Sequence, residues 1–112
     1  MGVIVAPILL GKLEAWKQFV ADLSGPRKKD LEDFNRRNGL TRHAAWLATT
    51  PDGAMVVAYL EGSGADEVMP KLGPSQNAFD LWFKSKLLEV HGLDASKPPP
   101  GPLPELYFDS GA

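Results

Sequence analysis

The sequence predicts an α+β fold whose elements follow the order β-α-β-β-α-β, and three observations carry it. A β-branched and aliphatic run fills residues 2–10, the pattern of a buried strand. Apolar side chains then fall at helical spacing in two stretches, Leu13, Trp16, Val20 and Leu23, and later Phe79, Trp82, Phe83, Leu87 and Val90. Between them, Thr50-Pro51-Asp52-Gly53 joins two runs of strand character. Proline fits the second position of a type I turn, and glycine fits the left-handed position of a bulged hairpin.

Each element has its own boundary signals. Pro7 inside the first run points to a bulge or a break in pairing. The first helix begins after Lys12 and is interrupted at Ser24-Gly25-Pro26, because proline lacks the amide donor and clashes with the preceding turn. Ser24 or Gly25 caps a second helical piece with Pro26 in its first turn. Leu31 and Phe34 continue its apolar face and Asn38-Gly39 closes it. Strands are expected over residues 40–50 and 54–61, then a loop and a short helix over 65–72 ended by Gly73-Pro74. Ser75 or Asn77 caps the last helix, which Gly92 stops after His91. Residues 97–104 carry five prolines and predict an extended, polyproline-like arm. Residues 105–109 read as a short last strand. The whole is the split βαβ, ferredoxin-like pattern, a four-stranded antiparallel sheet with helices on one face, in a single domain spanning residues 1–112.

The chain has 112 residues, 44% of them hydrophobic and 23% charged, enough for one core without staples. Its formal net charge of −2 demotes general nucleic-acid binding, which favours a basic surface. No cysteine is present, which excludes thiol catalysis, disulfides and Cys-ligated metal. The apolar start lacks a basic leader and is far shorter than a bilayer span, so a soluble, cytoplasmic protein without membrane association is expected. His43 and His91 have no metal-ligand spacing, so neither a metal nor another cofactor is expected.

Taking Pro51, Asp52 and Gly53 as a three-residue loop pairs Thr50 with Ala54. That register sets Ala45 opposite Tyr59 and His43 opposite Glu61, so His43, Tyr59 and Glu61 share one face near a strand end. A carboxylate that orients an imidazole beside a phenol is proton-transfer machinery, with His43 as acid or base and Tyr59 as oxyanion donor. The same trio also reads as a cross-strand salt bridge, and a one-residue slip breaks it. Arg37 and Asp80 are candidates to position a substrate, with Trp46 and Trp82 as apolar contacts, although Trp82 and Phe83 also read as core. Asp80 alternatively pairs with Lys84 one turn on, and the arginines around Arg37 read first as a solvated helix face. His91 sits in a last helical turn, where a cation complements the dipole. The strands are apolar on both faces, Val3 and Val5 alternating with Ile4 and Ala6. The face without helices therefore needs a cover, and a homodimer joined sheet to sheet supplies one.

The succession Arg36-Arg37-Asn38-Gly39-Leu40, Trp46-Leu47, Thr50-Pro51-Asp52-Gly53, Phe79-Asp80-Leu81-Trp82-Phe83 and His91-Gly92-Leu93-Asp94, followed by Pro98-Pro99-Pro100-Gly101-Pro102, resembles the DUF6176 group of small bacterial proteins over nearly the whole chain. More distantly the layout is similar to the dimeric α+β barrel superfamily. The first resemblance implies a fold more than an activity. The second implies a cleft between sheet and helices, with monooxygenases, isomerases and cyclases among its members, but no catalytic motif of theirs transfers by residue. Two readings of different class follow. One is a cofactor-independent enzyme that performs proton transfer, isomerisation or oxygenation on a small apolar oxygen-bearing molecule. The other is a non-catalytic module that binds a small ligand or another protein. Haem binding through His43 or His91 is a third.

Overall fold

The computed structural model of the chain describes residues 2–97 and 103–111. β1 (Gly2–Pro7) is followed by α1 (Leu13–Ser24) and α2 (Lys28–Arg37), which break where Gly25 and Pro26 predict. β2 (Arg42–Thr50) and β3 (Gly53–Glu61) form the expected hairpin. A single 3-10 turn (Ala65–Glu67) leads into the short α3 (Val68–Leu72), and α4 (Ala78–His91) is the last regular element. Asn77 caps α4 by accepting from the amides of Phe79 and Asp80, and Gly92 ends it in the left-handed conformation.

The class is α+β, but the sheet has three strands, in the antiparallel order β1-β3-β2. The fourth strand expected over residues 105–109 is not formed; every residue of 103–111 is irregular and exposed. A strand needs a neighbour for its amides and carbonyls, and among the described residues this segment pairs with none. The core of the proline-rich arm, residues 98–102, lies outside the described residues.

The helices pack on the face of the sheet that carries Ile4, Val56 and Leu60. The centre of that layer is aromatic. Phe34 is almost fully buried and stacks on Phe83 with ring centroids 5.3 Å apart, while Phe79 meets it edge-on at 5.7 Å. Trp82 belongs to this cluster, edge-on to Phe19 at 5.4 Å, with the Arg27 guanidinium 4.1 Å above its ring. The opposite face presents Val3, Val5, Val57, Ala44 and Trp46; Trp46 is 52% and Val5 42% exposed.

Candidate functional site

The hairpin register differs from the expected one by a single residue, and this relocates the site. Pro51 and Asp52 alone form the turn, and Thr50 pairs directly with Gly53. The Thr50 hydroxyl donates to the Gly53 carbonyl at 2.8 Å and accepts from the Asp52 amide at 3.2 Å. Gly53 sits at φ 127, a conformation reserved for glycine. Ala44 therefore lies opposite Tyr59, Arg42 opposite Glu61, and His43 opposite Leu60. The expected trio of His43, Tyr59 and Glu61 is separated: Tyr59 and Glu61 stay on the open face, and His43 turns to the helices. Tyr59 donates to the Glu61 carboxylate at 2.7 Å, which holds the phenol above its ordinary pKa.

Arg37 and Asp80 are brought together, but with each other. The guanidinium donates to both oxygens of Asp80, at 3.0 and 2.9 Å, and through Nε to Asp33 at 2.8 Å. The Ser75 hydroxyl adds a donor to Asp80 at 2.6 Å. Burial pushes the Asp80 carboxyl up, yet the bonds from Arg37 and Ser75 outweigh it and hold the group below the ordinary carboxylate value. Lys84 does not pair with Asp80; its ammonium donates to the carbonyls of Gly73 and Ser75. The Arg37–Asp80 ion pair clamps α2 to α4. Trp82 is half-buried against the core, and Trp46 stands on the open face away from His43.

A cavity of about 110 Å³ lies between the sheet and the helices. Its walls are apolar, among them Ile4, Trp16, Phe34, Ala58 and Phe83, and its polar side chains are His43 and His91. The His43 ring lies 6.5 Å from Phe34 and 6.4 Å from Phe83, centroid to centroid. Its Nδ1 is buried and, among the described residues, has no hydrogen-bond partner. Burial drives the His43 pKa below its ordinary 6.5, so the ring is neutral at physiological pH. His91 is no dipole-complementing cation. It is buried, burial lowers its pKa too, and its Nδ1 lies 2.8 Å from the Pro7 carbonyl. That contact requires Nδ1–H, which leaves Nε2 as the acceptor of the neutral ring.

Both histidines fold neutral, and this fixes the sign of the pH dependence. The unfolded chain protonates them as the pH falls through about 6.5, while the folded chain does not until its lower pKa values are reached. Stability is therefore full above pH 6.5 and drains as the pH falls below it, each histidine adding a slope approaching 1.4 kcal/mol per pH unit. Urea midpoints are expected to be lower at pH 5.5 than at pH 7.5. A midpoint unchanged between the two would show that both rings are solvated.

Among the described residues, no cluster of three or more His, Asp or Glu side chains is placed to hold a metal ion, and no helix is long and apolar enough to cross a membrane. No family model, curated protein or solved structure matches the chain. The site therefore stands on its own geometry. The buried Asp80 was readable in part: it shares a helical face with Phe83 and Leu87, and a carboxylate on such a face requires a cation.

Proposed function

We propose that the protein is a small-ligand-binding module whose site is the cavity beside His43. The observation that carries this reading is an otherwise apolar cavity lined by the neutral His43 ring, whose buried Nδ1 has no hydrogen-bond partner among the described residues. An orphaned buried polar atom costs about 1–3 kcal/mol; a turn of the His43 ring that brings Nδ1 to the cavity lets a ligand that bonds it recover that cost. A cavity near 110 Å³ is of the order of the ~150 Å³ apolar cavity known to accept benzene. The ligand is then compact and mostly apolar, with one hydroxyl to donate to Nδ1 or one carbonyl to accept from the other tautomer. A porphyrin does not fit this volume, which weighs against haem at His43.

Phenol, cyclohexanone and toluene are the probes that test it. Phenol at a hundredfold excess over its Kd stabilises by about 2.7 kcal/mol; toluene, equal in size but without the hydroxyl, is expected to bind more weakly by a factor of ten or more. Failure of all three at millimolar concentration to raise the melting temperature sinks the reading.

Proton transfer on the bound molecule is a second reading, favoured by the neutral state of His43, which makes it a base. Neither Glu61 nor Tyr59 assists it there, so binding is the better supported of the two. The partner in this reading is a second copy of the chain. The open face carries the apolar side chains of Val3, Val5, Val57, Ala44 and Trp46, with Arg42, Tyr59 and Glu61 toward one end, and exposed apolar surface of this kind marks an interaction face. Packing two such faces against each other is the assembly of a dimeric α+β barrel.

A further inference from the structure

The outer edge of β1 is open for part of its length. Ile8 donates to the Ala54 carbonyl at 3.0 Å, and with residues 2, 4 and 6 set opposite 60, 58 and 56, the antiparallel alternation turns the amides and carbonyls of Val3 and Val5 away from β3. At the Pro7 end this edge is occupied by the last turn of α4: the Pro7 carbonyl meets His91, and the Leu9 amide donates to the Val90 carbonyl at 2.9 Å. Among the described residues, Val3 and Val5 meet no backbone partner on that side. Beside them runs a groove of about 880 Å³, walled by Ile4, Met69, Pro70, Leu93 and Ala95 and reached by Leu103.

A strand-like segment without a neighbour among the described residues is available. Leu106, Tyr107 and Phe108 are 68%, 89% and 83% exposed. Their alternation sets Leu106 and Phe108 on one face, and Glu105, Tyr107 and Asp109 on the other, as a half-buried edge strand requires. The chain's own geometry opposes its pairing with its own β1. Leu103 and Pro104 line the groove together with Gly2, Val3 and Ile4, so the segment starts from the amino-terminal end of β1 and would have to run parallel to it. An antiparallel neighbour must start from the Pro7 end.

We propose that residues 106–109 of a second copy add to the open Val3–Val5 stretch of the β1 edge as an antiparallel fourth strand, with Glu105 outside the pairing at the Pro7 end, and that two copies exchange these strands reciprocally. Tyr107 then lies opposite Val5, with Leu106 and Phe108 in the groove. Burying those two side chains and half of Tyr107 removes roughly 400 Å² per segment from water. With the matching groove surface, repeated by the two-fold exchange, the total is roughly 1,600 Å², the size of a stable specific interface. The contact protects an exposed edge by strand addition between identical chains. It is independent of the ligand site and of face-to-face packing.

The natural chain has no cysteine, so an engineered pair reports cleanly. In the full-length Val5→Cys/Tyr107→Cys variant, mild oxidation at micromolar concentration is expected to give a covalent dimer by mass under non-reducing conditions. Adding Leu106→Asp and Phe108→Asp is expected to abolish the cross-link; all four positions are substituted without touching the buried core, and circular dichroism checks the fold. A monomer cross-linked within itself overturns the exchange, as does recovery of free thiols, or a covalent dimer that survives the two aspartates.

Discussion

Asp80→Ala lowers the stability of the folded chain by about 3 kcal/mol, and the melting temperature falls by more than about 10 °C. The size of the effect comes from what the substitution leaves behind. Asp80 is 4% exposed and Arg37 33% exposed, so the guanidinium loses its two bonds to Asp80 where water reaches it only partly. Removing one partner of a buried pair costs about 3–5 kcal/mol. The low end applies here, because Arg37 keeps its bond to Asp33 and a third of its surface is wet. Ser75 also loses its acceptor. The pair itself is a weaker contributor than either deletion suggests, since two charges had to be desolvated to form it. The Arg37→Met/Asp80→Leu double variant is therefore expected to be more stable than Asp80→Ala alone. Urea denaturation of the two variants decides it; a loss under 1 kcal/mol for Asp80→Ala would mean that the clamp between α2 and α4 rests on the aromatic stack instead.

The same pair shows where sequence reasoning reaches and where it stops. Local signals set the elements. Gly25 and Pro26 divide α1 from α2, Asn77 starts α4 and Gly92 ends it, each because backbone chemistry at one position decides the conformation. Arg37 and Asp80 are 43 residues apart, and each has a nearer partner of opposite charge at helical spacing, Asp33 and Lys84. Nothing in the spacing ranks the distant pair above the local ones, although Arg37 in fact serves Asp33 as well.

The register of the hairpin failed for a different reason. Thr50-Pro51-Asp52-Gly53 is compatible with both a two-residue and a three-residue loop, and burial ordinarily chooses between them. Here both faces of β2 are apolar, Ala44, Trp46 and Ala48 on one and Ala45 and Leu47 on the other. A slip of one residue therefore leaves the hydrophobic pattern almost unchanged. It nevertheless moves His43 from a carboxylate to the aromatic core, and changes the chemistry of the site from a charged relay to a neutral acceptor. The last segment carries the alternation of a strand over residues 105–109, yet alternation specifies only a face and never a neighbour, so the described structure leaves it unpaired.

His43→Leu is expected to stabilise the protein, by about 1–2 kcal/mol at pH 7.5, while abolishing its response to phenol. The neutral ring keeps a buried nitrogen without a partner among the described residues, and replacing such a group by an apolar one of similar size removes the cost of about 1–3 kcal/mol of leaving it unsatisfied. Part of that gain is offset by the loss of contacts between the ring and Phe34 and Phe83. The gain grows at pH 5.5. There the unfolded wild-type chain takes up a proton on His43 that the folded chain refuses, and the variant has no such proton to lose. A residue kept at the expense of stability is the mark of a site held for another purpose. Urea titrations of both proteins at the two pH values, with and without phenol, test the whole chain of reasoning at once. A variant less stable than wild type at pH 7.5 would mean that Nδ1 is already satisfied in solution, and the binding site would lose the observation on which it rests.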